Sequence, residues 1–579
     1  MASRSNIKLI GKMMAGTCWF LVLAVFTGSA PLALQANTLV TGSVLKNQAV
    51  FERYIYRGQT LEQVIVGPDE YRNPIISGYY PDPSTTRVEG DYYLVNSSFT
   101  HYPGLPVFHS TDLVNWSQVS NAISRENQFD FNGLTVSRGI FAPDISYNDG
   151  LYYIASTCVD CGGNFVMTAK DPAGPWSDPV WLDFEGIDPS IYWEGDKAFI
   201  LNNGAPPEPP QYEGHRAIWI QEFDWKNLQM RGERKVLVNG GVDITKKPIW
   251  IEGPHIFRKG DFYYLTAAEG GTGDQHSQTI FRSNSVWGPF EPAKRNPILT
   301  QRDLDPARSD PVTSAGHAKF VQLPNGDWWA TFLATRPYGP DLYNIGRETF
   351  LLPVTWKNGW PGILPAGELI PYVHSRPALP EGPAPRIPTS GDFGFTDEFD
   401  GTTLGMEWIG LRTPGKPVYT LGDGQLAMDC SGSFGDLSGP PSFIGRRQQH
   451  HVASATTTFS FSPRSNGDRA GLAAVQNDSS LIFFGTERID DQNHLVISTR
   501  DKSNEDMQVK MISLAPAENL TLSMRVNGGK MDFEYSHDGQ EFSLAKGVDA
   551  RILSTSRAGG FVGTVIGLYC EAKSVNADT

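Results

Sequence analysis

Short apolar runs alternate with polar residues and end in Gly/Asp turns across most of the chain from about residue 80 to 360, with almost no helical periodicity. Such a pattern predicts strands joined by tight turns. Five of these strands share an unusual start. In Pro81-Asp82-Pro83-Ser84, Ala142-Pro143-Asp144-Ile145, Ile187-Asp188-Pro189-Ser190, Glu252-Gly253-Pro254-His255 and Gly316-His317-Ala318-Lys319, an ionisable side chain stands just ahead of the apolar run. A turn and a second strand follow each start. Measured to Tyr92, Tyr152, Ala198, Tyr263 and Trp328, the intervals are 10, 8, 10, 11 and 11 residues. Successive hairpins begin 62, 44, 64 and 65 residues apart, and a third strand follows most of them, at 107–110, 165–168, 218–221 and 280–283.

Repetition on this scale, in strands rather than helices, predicts a five-bladed β-propeller. The first strand of each blade lines the channel of a propeller. Asp82, Asp144, Asp188, Glu252 and His317 are therefore expected to converge at one end of it, four carboxylates and one imidazole around a single cavity.

The pattern changes after residue 375. Prolines at 377, 380, 383, 385 and 388 forbid regular sheet or helix, so residues 376–390 read as a stiff linker. Beyond them come about eight short alternating strands, which predict an antiparallel β-sandwich over residues 391–579. The propeller is expected over 37–375. The fold class is all-β throughout.

Composition narrows the partners. Of 14 Trp residues, 12 fall between Trp116 and Trp360, which makes the expected propeller the candidate sugar- or aromatic-binding part. A formal net charge of −15 argues against nucleic acid and against an anionic membrane, since both call for a basic face. Arg4, Lys8 and Lys12 precede an apolar run and then small residues up to Ala36, with no acidic residue before Glu52. Residues 1–36 read as a secretory signal peptide cleaved after Ala30 or Ala36, and the protein as secreted or periplasmic. The alternative is an uncleaved anchor, although the run is shorter than a membrane span needs. In an exported protein Cys430 and Cys570 are candidates for a disulfide across the C-terminal region. Cys158-Val159-Asp160-Cys161 has CxxC spacing but lacks the βαβ context or second pair that redox or zinc chemistry needs, so a structural role is expected.

Hydrolysing a glycosidic bond takes one carboxylic acid to protonate the departing oxygen and one carboxylate to activate water or attack the sugar. Carboxylates crowded in one dry cleft push the pKa of at least one of them upward, and that one becomes the acid. Glu252 has the longest reach of the four, and residues 248–251, Pro-Ile-Trp-Ile, surround it with apolar groups. Of Asp82 and Asp188, one would be the base and the other would orient and tune the acid. An Asp before Pro is often only a turn former. Four repeats filled at equivalent positions favour function for the set, with Asp144 balanced between substrate contact and strand-start hydrogen bonding.

These residues resemble glycoside hydrolase family 43. The resembling motifs are Asn73-Pro74-Ile75 leading to Tyr80-Pro81-Asp82-Pro83-Ser84, Phe99 with Pro103-Gly104-Leu105-Pro106, Asp112-Leu113-Val114-Asn115-Trp116, Gly186-Ile187-Asp188-Pro189-Ser190, Ile251-Glu252-Gly253-Pro254-His255, Ala268-Glu269-Gly270-Gly271-Thr272 and Gly346-Arg347-Glu348-Thr349. The resemblance implies an inverting mechanism with Asp82 as general base, Asp188 as pKa modulator and Glu252 as general acid. It implies that Arg347 contacts sugar hydroxyls or pairs with a catalytic carboxylate, and that Phe99 walls the terminal sugar subsite. His317 resembles the family's channel histidine, which implies a hydrated Ca2+ ion nearby. Phe141 stands where relatives usually carry Trp, which alters the cavity wall that selects the sugar. The C-terminal region resembles the concanavalin-like sandwich of larger family members, at Phe443-Ile444-Gly445-Arg446-Arg447-Gln448-Gln449-His450. In such relatives a loop reaches the cleft, and Gly-rich residues 431–440 are its candidate here.

The reading is an exo-acting pentosidase on oligosaccharide or polysaccharide, foremost a β-D-xylosidase and next an α-L-arabinofuranosidase. An endo-arabinanase fits the sandwich less well. A non-catalytic carbohydrate-binding propeller would have lost at least one of the three central carboxylates.

Overall fold

The computed structural model describes residues 47–573 except 515–518 and 538. The expected signal peptide lies outside the described residues. Among them, one four-residue α-helix (Thr555–Ala558) stands against a large majority of strands, so the protein is all-β. No helix among the described residues is long and apolar enough to cross a membrane.

The first strand, β1 (Gln48–Gln59), corrects the expected domain limits. It buries Phe51, Tyr54 and Tyr56 on one face. It pairs with Phe393–Asp397, Gln425–Asp429 and Val452–Phe461, all from the C-terminal region. The part expected over 37–375 therefore begins after this strand, because the alternating apolar residues of β1 find their cover in the sandwich.

Five antiparallel sheets of four or five strands follow in order along the chain. Their first strands are β2 (Ser84–Val88), β3 (Asp144–Asn148), β4 (Ile187–Glu194), β5 (Glu252–Lys259) and β6 (Thr313–Gln322). Each neighbours the next, and β6 returns to β2, so the five surround an axis. Polar side chains stitch them. Ser84 Oγ donates to Asp144 Oδ1 at 3.0 Å, and the Ile191 N–H donates to Asp144 Oδ2 at 2.9 Å. Lys319 pairs with Asp144 and donates to Ser84 Oγ at 3.0 Å and the Ile145 carbonyl at 2.9 Å. Asp144 is 1% exposed, and a charge so buried is tolerable only with such partners. The last sheet meets the start of the ring through Asn73, whose side chain exchanges two 2.9 Å hydrogen bonds with the Leu351 backbone.

The sandwich has an eight-stranded sheet that includes β1 and a six-stranded sheet, with Tyr54, Phe459, Phe484, Leu522, Phe533 and Ile566 in the core between them. Cys430 and Cys570 are disulfide-bonded, as their expected pairing requires, and close a loop of 140 residues. Restricting the unfolded chain over such a loop stabilises the fold by roughly 5 kcal/mol. Cys158 and Cys161 are also bonded, across a hairpin turn. The sandwich meets the ring along a second core of Tyr79, Phe99, Phe443, Phe483, Val565 and Tyr569, and the buried Arg412–Asp478 ion pair lies at the same seam.

Candidate active site

A regular strand sends alternate side chains to opposite faces of its sheet, so something must turn a strand-start residue toward the axis. Bulges do this. The ladder shifts register between Ile187 and Ser190, between Glu252 and His255, and between Gly316 and Lys319, at Asp188, Glu252 and His317 respectively. The backbone there is left-handed, with φ of 56° at Asp188, 56° at Gly253 and 53° at His317, and 54° at Asp82 just ahead of β2. Each such non-glycine residue costs about 1–2 kcal/mol, which the surrounding sheets must supply. Gly253 has a second reason to be glycine, since a Cβ would lie 2.8 Å from the His317 ring.

The result is one hollow of about 430 Å³ lined by Asp82, Asp188, Glu252, His317, Arg347, Phe99 and Phe141 among others. Seven of the eight expected site residues meet there. Asp144 does not. Its strand forms an unbroken ladder with the neighbouring strand, Asp144 opposite Ala155, so no bulge re-aims it. Its oxygens are taken by Lys319, Ser84 and the Ile191 N–H. Asp144 joins strands around the axis and the expected substrate contact is withdrawn.

The three remaining carboxylates are 5%, 7% and 8% exposed at Asp82, Asp188 and Glu252, yet their surroundings drive them apart. Burial pushes Asp82 up, but Arg347, His317 and the Ser97 hydroxyl outweigh it and hold the carboxyl below the ordinary aspartate value. Arg347 Nη1 lies 2.8 Å from Asp82 Oδ1, and Ser97 Oγ lies 2.6 Å from Oδ2. Asp188 is raised to about 6 by burial, opposed by His317 and reinforced by Asp82. Its one backbone donor is Gly253 N–H, at 3.1 Å. Glu252 is raised well above the usual carboxylate range by burial and then by the charges of Asp188 and Asp82. The surroundings thus favour charge on Asp82 and neutrality on Glu252, with Asp188 between them.

Aromatic rings form one wall. Phe99 stacks on Phe561 at 5.9 Å between centroids, and Phe141 meets both edge-on at 5.2 and 5.8 Å. Phe561 comes from the sandwich, on the segment between the short helix and the strand Val565–Glu571. Its N–H donates to Ser137 Oγ at 2.9 Å. The loop that reaches the hollow is thus this one. Residues 431–440 do not line it and pack at the seam instead, where Gly133 N–H donates to the Leu437 carbonyl. Trp250, His276, Arg138 and Thr272 also line the hollow and were not foreseen as site residues. Trp250 and Thr272 lie inside motifs already singled out, whereas Arg138 and His276 carry no signal of their own.

Among the described residues, no group of three or more His, Cys, Asp or Glu side chains is arranged to hold a metal ion. Calcium takes six to eight oxygen ligands, and His317 offers one ring nitrogen. A calcium ion beside His317 would take most of its oxygen ligands from water.

The family model "Glycosyl hydrolases family 43" matches residues 71–361. The chain belongs to this family. The model "Beta xylosidase C-terminal Concanavalin A-like domain" matches residues 396–579. This family 43 chain is 34% identical over 524 residues to a protein of Butyrivibrio fibrisolvens named xylosidase/arabinosidase, across 87% of the chain and 96% of the relative. It is also 34% identical over 522 residues to a non-reducing end alpha-L-arabinofuranosidase of Bacteroides ovatus, across 89% and 94%. Among solved structures, a GH43_12 protein retrieved from a capybara gut metagenome superposes with a TM-score of 0.84 at 36% identity, covering 91% of this chain and all of that one. The family 43 chain is a glycoside hydrolase that acts on oligosaccharide or polysaccharide.

Proposed function

We propose that this glycoside hydrolase releases single terminal pentoses by inversion, with β-D-xylose at the end of xylo-oligosaccharides as the first substrate. The five sheets are read as propeller blades. The observation that carries the reading is two buried carboxylates in opposed surroundings that line one small hollow: Asp82 pairs with Arg347 at 2.8 Å, which favours its charge, and Glu252 is buried beside the charges of Asp188 and Asp82, which favours its neutral form. Asp82 takes a proton from water as that water attacks the anomeric carbon. Glu252 gives its proton to the leaving oxygen, and the sugar departs with inverted configuration. Asp188 carries charge close enough to keep Glu252 protonated. Arg347 holds Asp82 in place and fixes its charge.

Exo action agrees with a hollow near the small end of ligand-site volumes, walled on one side by Phe561. α-L-Arabinofuranose is the second reading, supported by the names of both relatives. Calcium beside His317 is a separate proposal with a shell mostly of water, and it takes part in no step above. Calorimetric titration of calcium into wild type and His317→Ala checks it, and absence of heat in the wild type removes it.

The deciding experiment compares nitrophenol release from β-D-xylopyranoside and α-L-arabinofuranoside side by side, with proton NMR of the first-formed anomer. Faster xyloside turnover with inverted product is expected. A retained anomer would overturn the assignment of Asp82, and no turnover of either pentoside would overturn the substrate class.

A further inference from the structure

Trp250 stands two residues ahead of Glu252 and lines the same hollow. Its backbone is left-handed, with φ of 51°. Its N–H donates to the Gly214 carbonyl at 2.9 Å, and the Ile249 carbonyl accepts from Gly270 at 2.8 Å, so two separate loops hold the residue. The Arg216 guanidinium lies 4.0 Å from the ring centroid, well within reach of a cation–π contact. Arg216 does not itself line the hollow. The cation therefore braces the indole while part of the ring stays open to the cavity, and the side chain is only partly buried. A braced, half-wet indole gains by desolvation when another ring settles on it.

The hollow thus has two aromatic surfaces from different parts of the chain. Phe99, Phe141 and Phe561 form one. Trp250 forms the other, beside the acid. A general acid must stand within hydrogen-bond reach of the oxygen it protonates, and that oxygen leaves with the second sugar. The residue adjoining the acid is placed to meet that sugar.

We propose that Trp250, braced by Arg216, is the stacking platform for the leaving group, the sugar or aryl ring on the far side of the scissile bond from the released pentose. The proposal rests on the reading of Glu252 as the acid. A neutral sugar turns an apolar C–H face to an aromatic ring, and a flat aryl group stacks on it equally well. Arg216 braces Trp250 and is a positioning residue, and its charge also lowers the pKa of Glu252, an influence that Arg216→Lys keeps.

Three substrates that share one pentose test this: a disaccharide, a nitrophenyl glycoside and the glycosyl fluoride. Trp250→Ala is expected to lower kcat/KM about tenfold on the disaccharide and the nitrophenyl glycoside, and by less than about twofold on the fluoride, whose leaving group has no ring to stack. Trp250→Phe, with its smaller ring, should keep most activity on all three and guards against a folding defect. Arg216→Met should repeat the Trp250→Ala pattern at smaller size, and Arg216→Lys should restore it. Equal losses on all three substrates, or an undiminished disaccharide rate in Trp250→Ala, would overturn the platform. Failure of the acid reading looks different: Glu252→Ala would then slow all three substrates equally, whereas loss of a true acid removes the disaccharide activity and keeps both the nitrophenyl glycoside and the fluoride.

Discussion

Asp144 and Asp188 start adjacent inner strands and perform different tasks. Asp188 sits in a bulge with left-handed backbone and faces the hollow, its carboxyl poised at about 6. Asp144 sits in an unbroken ladder, and its oxygens face Lys319, Ser84 and the β4 backbone. A difference of one irregular step in hydrogen bonding separates a chemical group from a rivet. Strand position decides which residues come near the axis, and the local break in the ladder decides which of them can touch a sugar.

The contrast can be broken by exchanging effects on rate and on stability. Asp82→Asn is expected to lower kcat about a thousandfold or more on every glycoside, because the base is lost whatever the leaving group. A loss below tenfold in steady-state assays would remove Asp82 from the chemistry. Asp144→Asn should instead cost about 2–4 kcal/mol of stability by leaving the half-buried Lys319 charge without its counter-charge, with kcat of the folded protein within about threefold of wild type. Urea unfolding together with active-site-normalised kinetics checks this, and a stable variant with crippled kcat would return Asp144 to the substrate.

Glu252→Ala should lower turnover of poor leaving groups about a hundredfold while sparing activated aryl glycosides. Equal losses on both would refute the acid role. The smallest effect sharpens the contrast most. Asp188 has a folded-state pKa raised from 3.8 to about 6, so the folded protein holds its proton more tightly than the unfolded chain. The carboxyl costs nothing below about pH 4, and its cost grows as pH rises through 6. Asp188→Asn should therefore stabilise the protein by about 1–2 kcal/mol at pH 8 and hardly at all at pH 4. Melting temperatures that rise equally at both pH values would contradict the burial argument. Asp82 has the opposite sign, since its lowered pKa contributes stability that is lost as pH falls through it.

Asp82, Asp188 and Glu252 were legible because three repeats put an acid at one register ahead of apolar strands, and hydrolysis needs acids. The sequence also held the clue that separates Asp144. Proline follows at Pro83, Pro189 and Pro254 but precedes at Pro143, and proline, having no N–H to give the ladder, belongs where the ladder breaks. His317 is bulged without that mark, so the clue is partial. Phe561 was out of reach for another reason. It lies more than two hundred residues beyond the last carboxylate strand, on a segment whose place depends on how the sandwich docks. β1 was misassigned for a similar cause: alternation predicts a strand but says nothing of which sheet will cover its apolar face.

That placement of β1 sets the timing of folding during synthesis. Phe51 lies opposite Phe459, so the strand leaves the ribosome some four hundred residues before its partner, roughly 20–80 s at ordinary elongation rates of about 5–20 residues per second. Throughout that interval its apolar side chains have no home. Ring strands can gather sooner, but Phe561 reaches the hollow only after more than two hundred further residues have followed β6. A product ended before Phe459 would therefore carry all three acids and still lack both its closing wall and a cover for β1.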